Sequence, residues 1–406
     1  MTTRIALVVP SLADGGGVPA VARFVKDTII RSDQYQVQLV SLSTSFNDEV
    51  SWNLLRPRDW GRTPATSTRS WDGLPYHHVG AWVGELEFQR YRARKVLTEV
   101  LANSDLIQVV SGSPAWANAV CGLGKPVALQ CATRAAVERR RRDASPTTPR
   151  ERWGRTMTWF TDHLDNRALR SVDAIQVENP WMLQYAHECN VGRDVEIVYA
   201  PPGVNAEAFC PNPARSLSKD PYILCVARLD DVRKNVGLLL EAYARLPAAQ
   251  LSGVRLVLAG VVGPPPSFWR RAEELGLHHR ITYVARPTRD ALVSLYQGAT
   301  QFVLPSDEEG LGVVLLEAMA CGLPVVSTRS GGPEGIVTDG EDGFLVPRDD
   351  ATTLADRMAT LQRDHALNHR MGQRARATIE ERYAEPVAGQ AFLDVWDRLL
   401  SRFGRS

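Results

Sequence analysis

Glu309 and Glu317 stand at the two ends of a Glu-Gly-Leu-Gly-Val-Val-Leu-Leu-Glu run, and that stretch is the part of the chain best suited to chemistry. Gly310 and Gly312 let the backbone pass close to a ligand. The apolar residues that follow read as a helix opening near Gly312, which places Glu317 about a turn and a half beyond the loop that carries Glu309. Backbone from Gly310 through Leu311, Gly312, Val313 and Val314 then includes the first amides of that helix, which lack intrahelical partners and suit an anion. One acid can meet a sugar hydroxyl and the other a ribose. Two glutamates at this spacing are common by chance; the glycines between them give the pattern its specificity.

Two cations stand where a second contact to the same ligand would be. Arg228 closes the apolar run Tyr222 to Ala227, and Lys234 follows just before a helical pattern. Both charges therefore fall at the carboxyl end of a strand, where open α/β sheets bind ligands. Such a pair suits a diphosphate; the alternative is two solvated charges beside Asp230 and Asp231. Near the start, Gly15, Gly16 and Gly17 follow an apolar run and precede a helix that can begin around Pro19. The loop fits an anion approached by backbone amides, or simply a flexible turn. Its letters match a dinucleotide fingerprint, but the second strand ends in Val40, Ser41 and Leu42, with no acid for a ribose, which weighs against a dehydrogenase.

These residues need elements to position them. Short β-rich runs at Ile5 to Pro10, Val37 to Leu42, Leu106 to Val110, Pro126 to Gln130, Ala174 to Val177 and Val195 to Tyr199 alternate with helix-period segments. The same grammar restarts with runs at Tyr222 to Ala227, Val254 to Gly260, Ile281 to Val284, Gln301 to Pro305, Pro324 to Thr328 and Gly343 to Pro347. Strands separated by helices predict parallel α/β sheets, here as two doubly wound domains joined near residues 200 to 220. Val236, Leu239, Leu240 and Tyr243 repeat as on one face of a packing helix. Between Ser43 and Pro75 no period holds, so the passage contains small elements or is a mobile insertion near a site. From Pro386 to Phe403, residues Phe392, Val395, Trp396, Leu399 and Leu400 mark a helix with one buried stripe.

Composition narrows the classes. The 406 residues carry 47 Lys plus Arg against 46 Asp plus Glu, a balance that gives no reason to expect nucleic-acid binding. No run approaches the roughly 18 to 20 apolar residues that span a bilayer, and Ile5 to Val9 is too short for a signal-peptide core, so a cytoplasmic location is expected. The six cysteines show no C-x-x-C spacing and read as reduced thiols.

Taken together, the motifs resemble the retaining nucleotide-sugar glycosyltransferases of family 4. The resemblance rests on the A-R-L-D-D-V-R-K-N block around Arg228 and Lys234, the two glutamates Glu309 and Glu317, S-G-G-P-E-G-I-V from Ser330 to Val337, and the Gly15 to Gly17 loop. It implies a GT-B fold: two Rossmann-like domains facing each other across a cleft, residues 1–203 for the acceptor and 204–385 for the nucleotide sugar, with 386–406 crossing back onto the first. It also implies roles. Arg228 and Lys234 grip the donor diphosphate, approached from the other domain by amides of Gly16 and Gly17. Glu309 contacts the transferred sugar together with the backbone from Gly310 to Val314, and Glu317 holds the ribose; Glu334 is a weaker candidate, with a loop-stabilising acid as its other reading. No metal or other cofactor is expected, and the chain has no D-x-D triplet. Family members usually carry a histidine in the loop after the strand equivalent to Pro126 to Gln130; here the loop reads Cys131-Ala132-Thr133-Arg134. A small buried thiol is the better reading of Cys131 than a nucleophile.

The activity implied is transfer of a hexose from a UDP or GDP sugar to a carbohydrate or lipid-linked acceptor with retained configuration. A sugar-nucleotide epimerase of the same fold and a non-catalytic nucleotide-sugar-binding protein are the alternatives. Eight arginines against three acids between Arg134 and Arg155, including Arg139 to Arg142, form a strip that fits an anionic leaflet, a phosphorylated acceptor or a solvated helix face. Eight of the ten tryptophans precede residue 200, where sugar stacking competes with ordinary core packing.

Overall fold

The computed structural model describes residues 3–12, 16–45, 47–212 and 220–404. The chain divides into two compact units, residues 1–202 with 388–406, and residues 203–387.

The first unit is built on eight strands: β1 (Thr3–Pro10), β2 (Tyr35–Leu42), β3 (Thr66–Trp71), β4 (Leu74–Val79), β5 (Leu106–Ser111), β6 (Val127–Cys131), β7 (Ala174–Val177) and β8 (Glu196–Tyr199). They lie in the order β3-β4-β2-β1-β5-β6-β7-β8, parallel except for the antiparallel pair β3 and β4. Alternation along β1 shows why the sheet is covered on both faces. Ile5, Leu7 and Val9 pack with Phe24, Val25 and Ile29 of the helix Gly17–Arg31, whereas Ala6 and Val8 pack with Leu97, Ala168, Leu169 and Met182 of the helices opposite. Each such fully buried aliphatic side chain is worth about 1.5 to 3 kcal/mol.

The passage between Ser43 and Pro75 contains small elements: a 3-10 turn at Pro57–Asp59 and the strand β3, which with β4 extends the sheet to its edge. β3 reads Thr-Ser-Thr-Arg-Ser-Trp and is largely exposed, so it lacks the apolar alternation by which strands are recognised in a sequence.

The helix Glu385–Phe403 begins in the second unit, where the Glu385 amide donates to the Val204 carbonyl at 3.1 Å, and from Ala388 onward it belongs to the first. Phe392 meets Phe24 edge-on with ring centres 5.4 Å apart, Trp396 meets Tyr35 at 5.8 Å, and the Trp396 indole donates to Gln108 Oε1 at 2.7 Å. The buried stripe of Phe392, Val395, Trp396 and Leu399 completes this core; Leu400 is only partly buried beside it.

The second unit holds β9 (Tyr222–Val226), β10 (Arg255–Gly260), β11 (Ile281–Ala285), β12 (Gln301–Leu304), β13 (Val325–Thr328) and β14 (Gly343–Val346), all parallel, in the order β11-β10-β9-β12-β13-β14. Ile223 and Cys225 face one core with Leu239, Tyr243 and Met358; Leu224 and Val226 face the other with Tyr296, Leu315 and Met319. The winding reverses between β9 and β12, and in the first unit between β1 and β5. At such a reversal, the loops leaving the two central strands diverge to opposite faces and open a crevice at their carboxyl ends.

Candidate active site

In the second unit, the loops after β9 and β12 carry most of the residues singled out above, and they meet at the reversal point. After β9 the chain is pinned by Leu229, which is buried and whose amide donates to the Val262 carbonyl at 3.2 Å. A 3-10 turn, Val232–Lys234, follows, and Asn235 in the left-handed region (φ 43°) leads into the helix Val236–Ala244. After β12, Ser306 and Glu309 are buried. Glu309 pairs with Gly331: its amide donates to Ser330 O and its carbonyl accepts from the Gly332 amide, both at 2.9 Å. A Cβ on Gly332 would lie 2.4 Å from the Leu311 carbonyl oxygen, so only glycine lets these two loops close.

Lys234 is bound to Glu309. Its Nζ donates to both carboxylate oxygens, at 2.7 and 2.8 Å, and Ser306 Oγ donates to Glu309 Oε1 at 2.6 Å. Side-chain exposure is 17% for Lys234 and 8% for Glu309, so the pair is largely withdrawn from water. The two loops are fastened at three further points. Arg233 bonds Asp231 and, at 3.1 Å, Glu308; the Asp307 amide donates to the Arg233 carbonyl at 2.7 Å; and Asn235 Nδ2 donates to Asp307 Oδ1 at 2.8 Å. Burial would raise the Asp231 carboxyl, but the bonds and charge of Arg233 outweigh it and hold the group below its usual range.

Arg228 stands differently. Its side chain is 51% exposed and reaches Asp231 Oδ2 at 3.1 Å. The structure thus separates the two cations treated alike in the sequence: Lys234 is held on a carboxylate and only partly exposed, and Arg228 faces solvent beside Asp231.

Gly312 takes φ 91° and is the N-cap of the helix Val313–Ala320. That helix has no side-chain cap and no acid in its first turn, and the amides of Val313 and Val314 find no acceptor among the described residues. Thr148, Asn179, Thr288, Asp350 and Asp364 each cap the helix they precede, whereas the helices Val236–Ala244 and Pro266–Glu274 also begin without a side-chain cap. The uncapped start presents free N–H groups and the positive end of the helix dipole. The side chain of Leu311 is buried in the core. Glu317 lies further along the helix, partly buried, and accepts from the Tyr296 hydroxyl at 2.7 Å. Burial pushes its carboxyl up to about 7 against the bond from Tyr296 and the charge of Arg289. Glu334 accepts from the Gly331 amide at 2.8 Å and so braces the loop paired with Glu309.

In the first unit Gly15 lies outside the described residues. Gly16 (φ 135°) is the N-cap and Gly17 the first residue of the helix Gly17–Arg31, again with neither a side-chain cap nor an acid in the first turn. Cys131 ends β6 and is fully buried, and burial pushes its thiol well up, which removes it as a nucleophile. The loop beyond is pinned: Ala132 and Thr133 amides donate to the Gly112 carbonyl at 3.1 and 2.9 Å, and Asn179 Nδ2 donates to Ala132 O at 2.7 Å.

Sequence reasoning missed Asp165. This buried acid of the helix Pro149–Leu169 accepts from Ser113 Oγ and, at 2.8 Å each, from the amides of Ala115 and Ala135, tying together the loops after β5 and β6. Its signal was a lone acid among Met157, Thr161, Ala168 and Leu169 on the inner face of that helix. Arg233 and Asp307 were also passed over; they look like ordinary surface charges until the loops are folded together. Among the described residues no group of three or more His, Cys, Asp or Glu is arranged to hold a metal ion.

The second unit contains the stretch matched by the family model described as glycosyl transferases group 1, which covers residues 211–378. Among curated proteins, the chain is 32% identical over 225 residues to a D-inositol 3-phosphate glycosyltransferase of Mycolicibacterium smegmatis, covering 52% of this chain and 48% of that one. It is 28% identical over 227 residues to the lipopolysaccharide core biosynthesis glycosyltransferase LpsE of Rhizobium meliloti, covering 56% and 64% respectively. The chain thus spans between about half and two thirds of the length of these relatives. Among solved structures, sucrose-phosphate synthase from Thermosynechococcus elongatus superposes with a TM-score of 0.70 at 20% identity over 98% of this chain and all of that one. Anabaena HepE, solved in complex with UDP-glucose, does so with a TM-score of 0.67 at 17% identity over 97% and 99%. Those likenesses establish the fold. Residues 211–378 of the second unit thus carry a glycosyl transferases group 1 domain, in a chain whose structural neighbours have the GT-B fold.

Proposed function

We propose that the protein transfers a hexosyl group from a UDP or GDP sugar to a carbohydrate or lipid-linked acceptor, with retained configuration and without a metal ion. The observation that carries this reading is the largely withdrawn Lys234–Glu309 pair in the loops that lead to the uncapped start of the helix Val313–Ala320. Breaking the bond between the anomeric carbon and the diphosphate moves negative charge onto the departing phosphate while the sugar becomes oxocarbenium-like. A fixed ammonium, a nearby guanidinium and free helix amides stabilise the departing group in a setting poor in water. Lys234 and Arg228 serve the diphosphate, Glu309 and the backbone from Gly310 to Val314 the sugar, and Glu317 the ribose. The acceptor hydroxyl attacks the face the diphosphate leaves and passes its proton to a phosphate oxygen, so no enzyme nucleophile is needed. Support comes from the relatives named as glycosyltransferases and from HepE, whose complex holds UDP-glucose.

Incubation with a panel of UDP and GDP sugars tests the proposal. Nucleoside diphosphate should appear only when an acceptor is supplied, the product should keep the donor's anomeric configuration, and EDTA should leave the rate unchanged. Loss of activity in EDTA, restored by magnesium or manganese, contradicts the metal-independent route. The second reading, a nucleotide-sugar-binding protein without turnover, draws on the loop after β6, where buried Cys131 and Ala132 offer no acid or base. Donor binding with no release of diphosphate for any acceptor would favour it.

A further inference from the structure

The arginine strip from Arg134 to Arg155 divides once folded. Arg134 is held by Asp162 at 2.7 Å and lies 3.9 Å over the Tyr185 ring, Arg139 is paired with Glu87, and Arg142 bonds Asp143 at 2.8 Å and Thr158 at 2.9 Å. Those three are committed within the unit. The helix Pro149–Leu169 is another matter. It is 21 residues long, about 31 Å at 1.5 Å per residue, and a full capping box of Thr148 and Glu151 starts it.

At about 100° per residue its inner face carries Met157, Thr161, Asp165, Ala168 and Leu169, all buried. The outward arc carries Arg152, Arg155 and Arg167, all exposed, interleaved with aromatic side chains. Trp153 is 52% exposed, Trp159 67% and Phe160 42%. The rings cohere: Trp159 meets Phe160 edge-on at 5.0 Å and stacks on His163 at 6.5 Å, and Phe160 lies 5.9 Å from Phe88. The acids of the helix are accounted for: Glu151 is used in the cap, Asp162 is paired with Arg134 and Asp165 is buried. The outward face is therefore mainly cationic and aromatic, with the exposed Glu151 carboxylate confined to its first turn.

Large indole rings gain by leaving water at one end while keeping a polar tip wet, and arginines spaced between them seek phosphates. A protein hot spot also uses Trp and Arg. Here, however, the exposed cations Arg152, Arg155 and Arg167 are spread along about 22 Å of one long helix, which matches a continuous anionic plane better than a discrete partner. No helix among the described residues is long and apolar enough to cross a membrane, so the contact would be peripheral. We propose that the outward face of the helix Pro149–Leu169 lies in the headgroup layer of an anionic lipid bilayer, with Trp153, Trp159 and Phe160 inserted and Arg152, Arg155 and Arg167 on lipid phosphates. This does not depend on the transfer reaction.

Co-sedimentation of the full chain with vesicles tests it. Vesicles containing phosphatidylglycerol should carry the protein down at about 0.05 M salt and at least tenfold less at about 0.5 M, and phosphatidylcholine alone should not. The triple variant W153S/W159S/F160S should lose at least about tenfold in vesicle affinity. R152E/R155E should lose binding while R152K/R155K keeps it, with circular dichroism showing each variant folded. Absence of binding to phosphatidylglycerol vesicles overturns the proposal. So does binding that the aromatic substitutions leave unchanged, or equal, aromatic-independent binding to heparin.

Discussion

Glu309 in the second unit and Glu178 in the first are both buried just beyond the carboxyl end of a parallel strand, yet their surroundings are opposite. Glu309 has an ammonium on both oxygens and a hydroxyl besides. Glu178 accepts from the Gln130 amide, and no cation pairs with it among the described residues; burial pushes its carboxyl up to about 7. Asp165, another buried acid of the first unit, is likewise pushed up to about 7 by burial, against the three donors it accepts from. The second unit surrounds its acid with counter-charge at a loop junction. In the first unit Asp165 ties two loops together and Glu178 accepts from a side chain of β6, and burial raises both carboxyls. The contrast is between sites rather than whole units, since Glu317 of the second unit is also pushed up by burial and Glu87 of the first is paired with Arg139.

The largest way to break this contrast is Lys234→Ala. Turnover should fall at least about a hundredfold, the scale of one lost transition-state contact. Glu309 would be left buried without its counter-ion, so stability should fall by about 3 kcal/mol, and Lys234→Ala/Glu309→Ala should recover part of that loss in urea melts. A single variant as stable as the parent would erase the distinction between the sites.

A smaller effect sharpens the comparison from the other side. Glu178 has a folded value near 7 against an ordinary value of 4.5. The folded state therefore holds the proton more tightly than the unfolded one. The stability this contributes is complete below about pH 4.5 and is lost as pH rises through about 7. Glu178→Gln cannot titrate, so calorimetry should find it gaining on the parent between pH 5 and pH 8; a pH-independent difference would contradict the assignment.

Arg228→Ala should have the least effect on stability, within about 0.5 kcal/mol, because its one contact to Asp231 is half exposed. Its effect on nucleotide affinity should nevertheless reach about tenfold, the strength of a charge-assisted contact to phosphate. Thermal melts and nucleotide titration separate the two.

The twelve apolar strands were readable in the sequence because β-branched runs buried on both faces leave an unbroken hydrophobic signature. β3 and β4 escaped: the residues of β3 are polar and exposed at the sheet edge, and β4 breaks its apolar run with Pro75, His77 and His78. Around the site, the glycines and charges named the loops, since those residue types have few other uses at the carboxyl end of a strand. What spacing could not reveal is which charges pair. Lys234 and Glu309 are 75 residues apart in the chain, and Arg233, beside Lys234, reaches Glu308 across the same separation. Asp165 was hidden for the same reason, because its donors come from loops elsewhere in the chain.

The central claim is that Lys234, held on Glu309 at the junction of two loops, is the charge on which a nucleoside diphosphate is received. Calorimetric titration of the parent and of Lys234→Ala with UDP and with GDP tests it most directly. The account predicts binding of one of the two by the parent and a loss of at least about tenfold in the variant. Equal affinity in parent and variant, or no binding of either nucleotide by the parent, would contradict it.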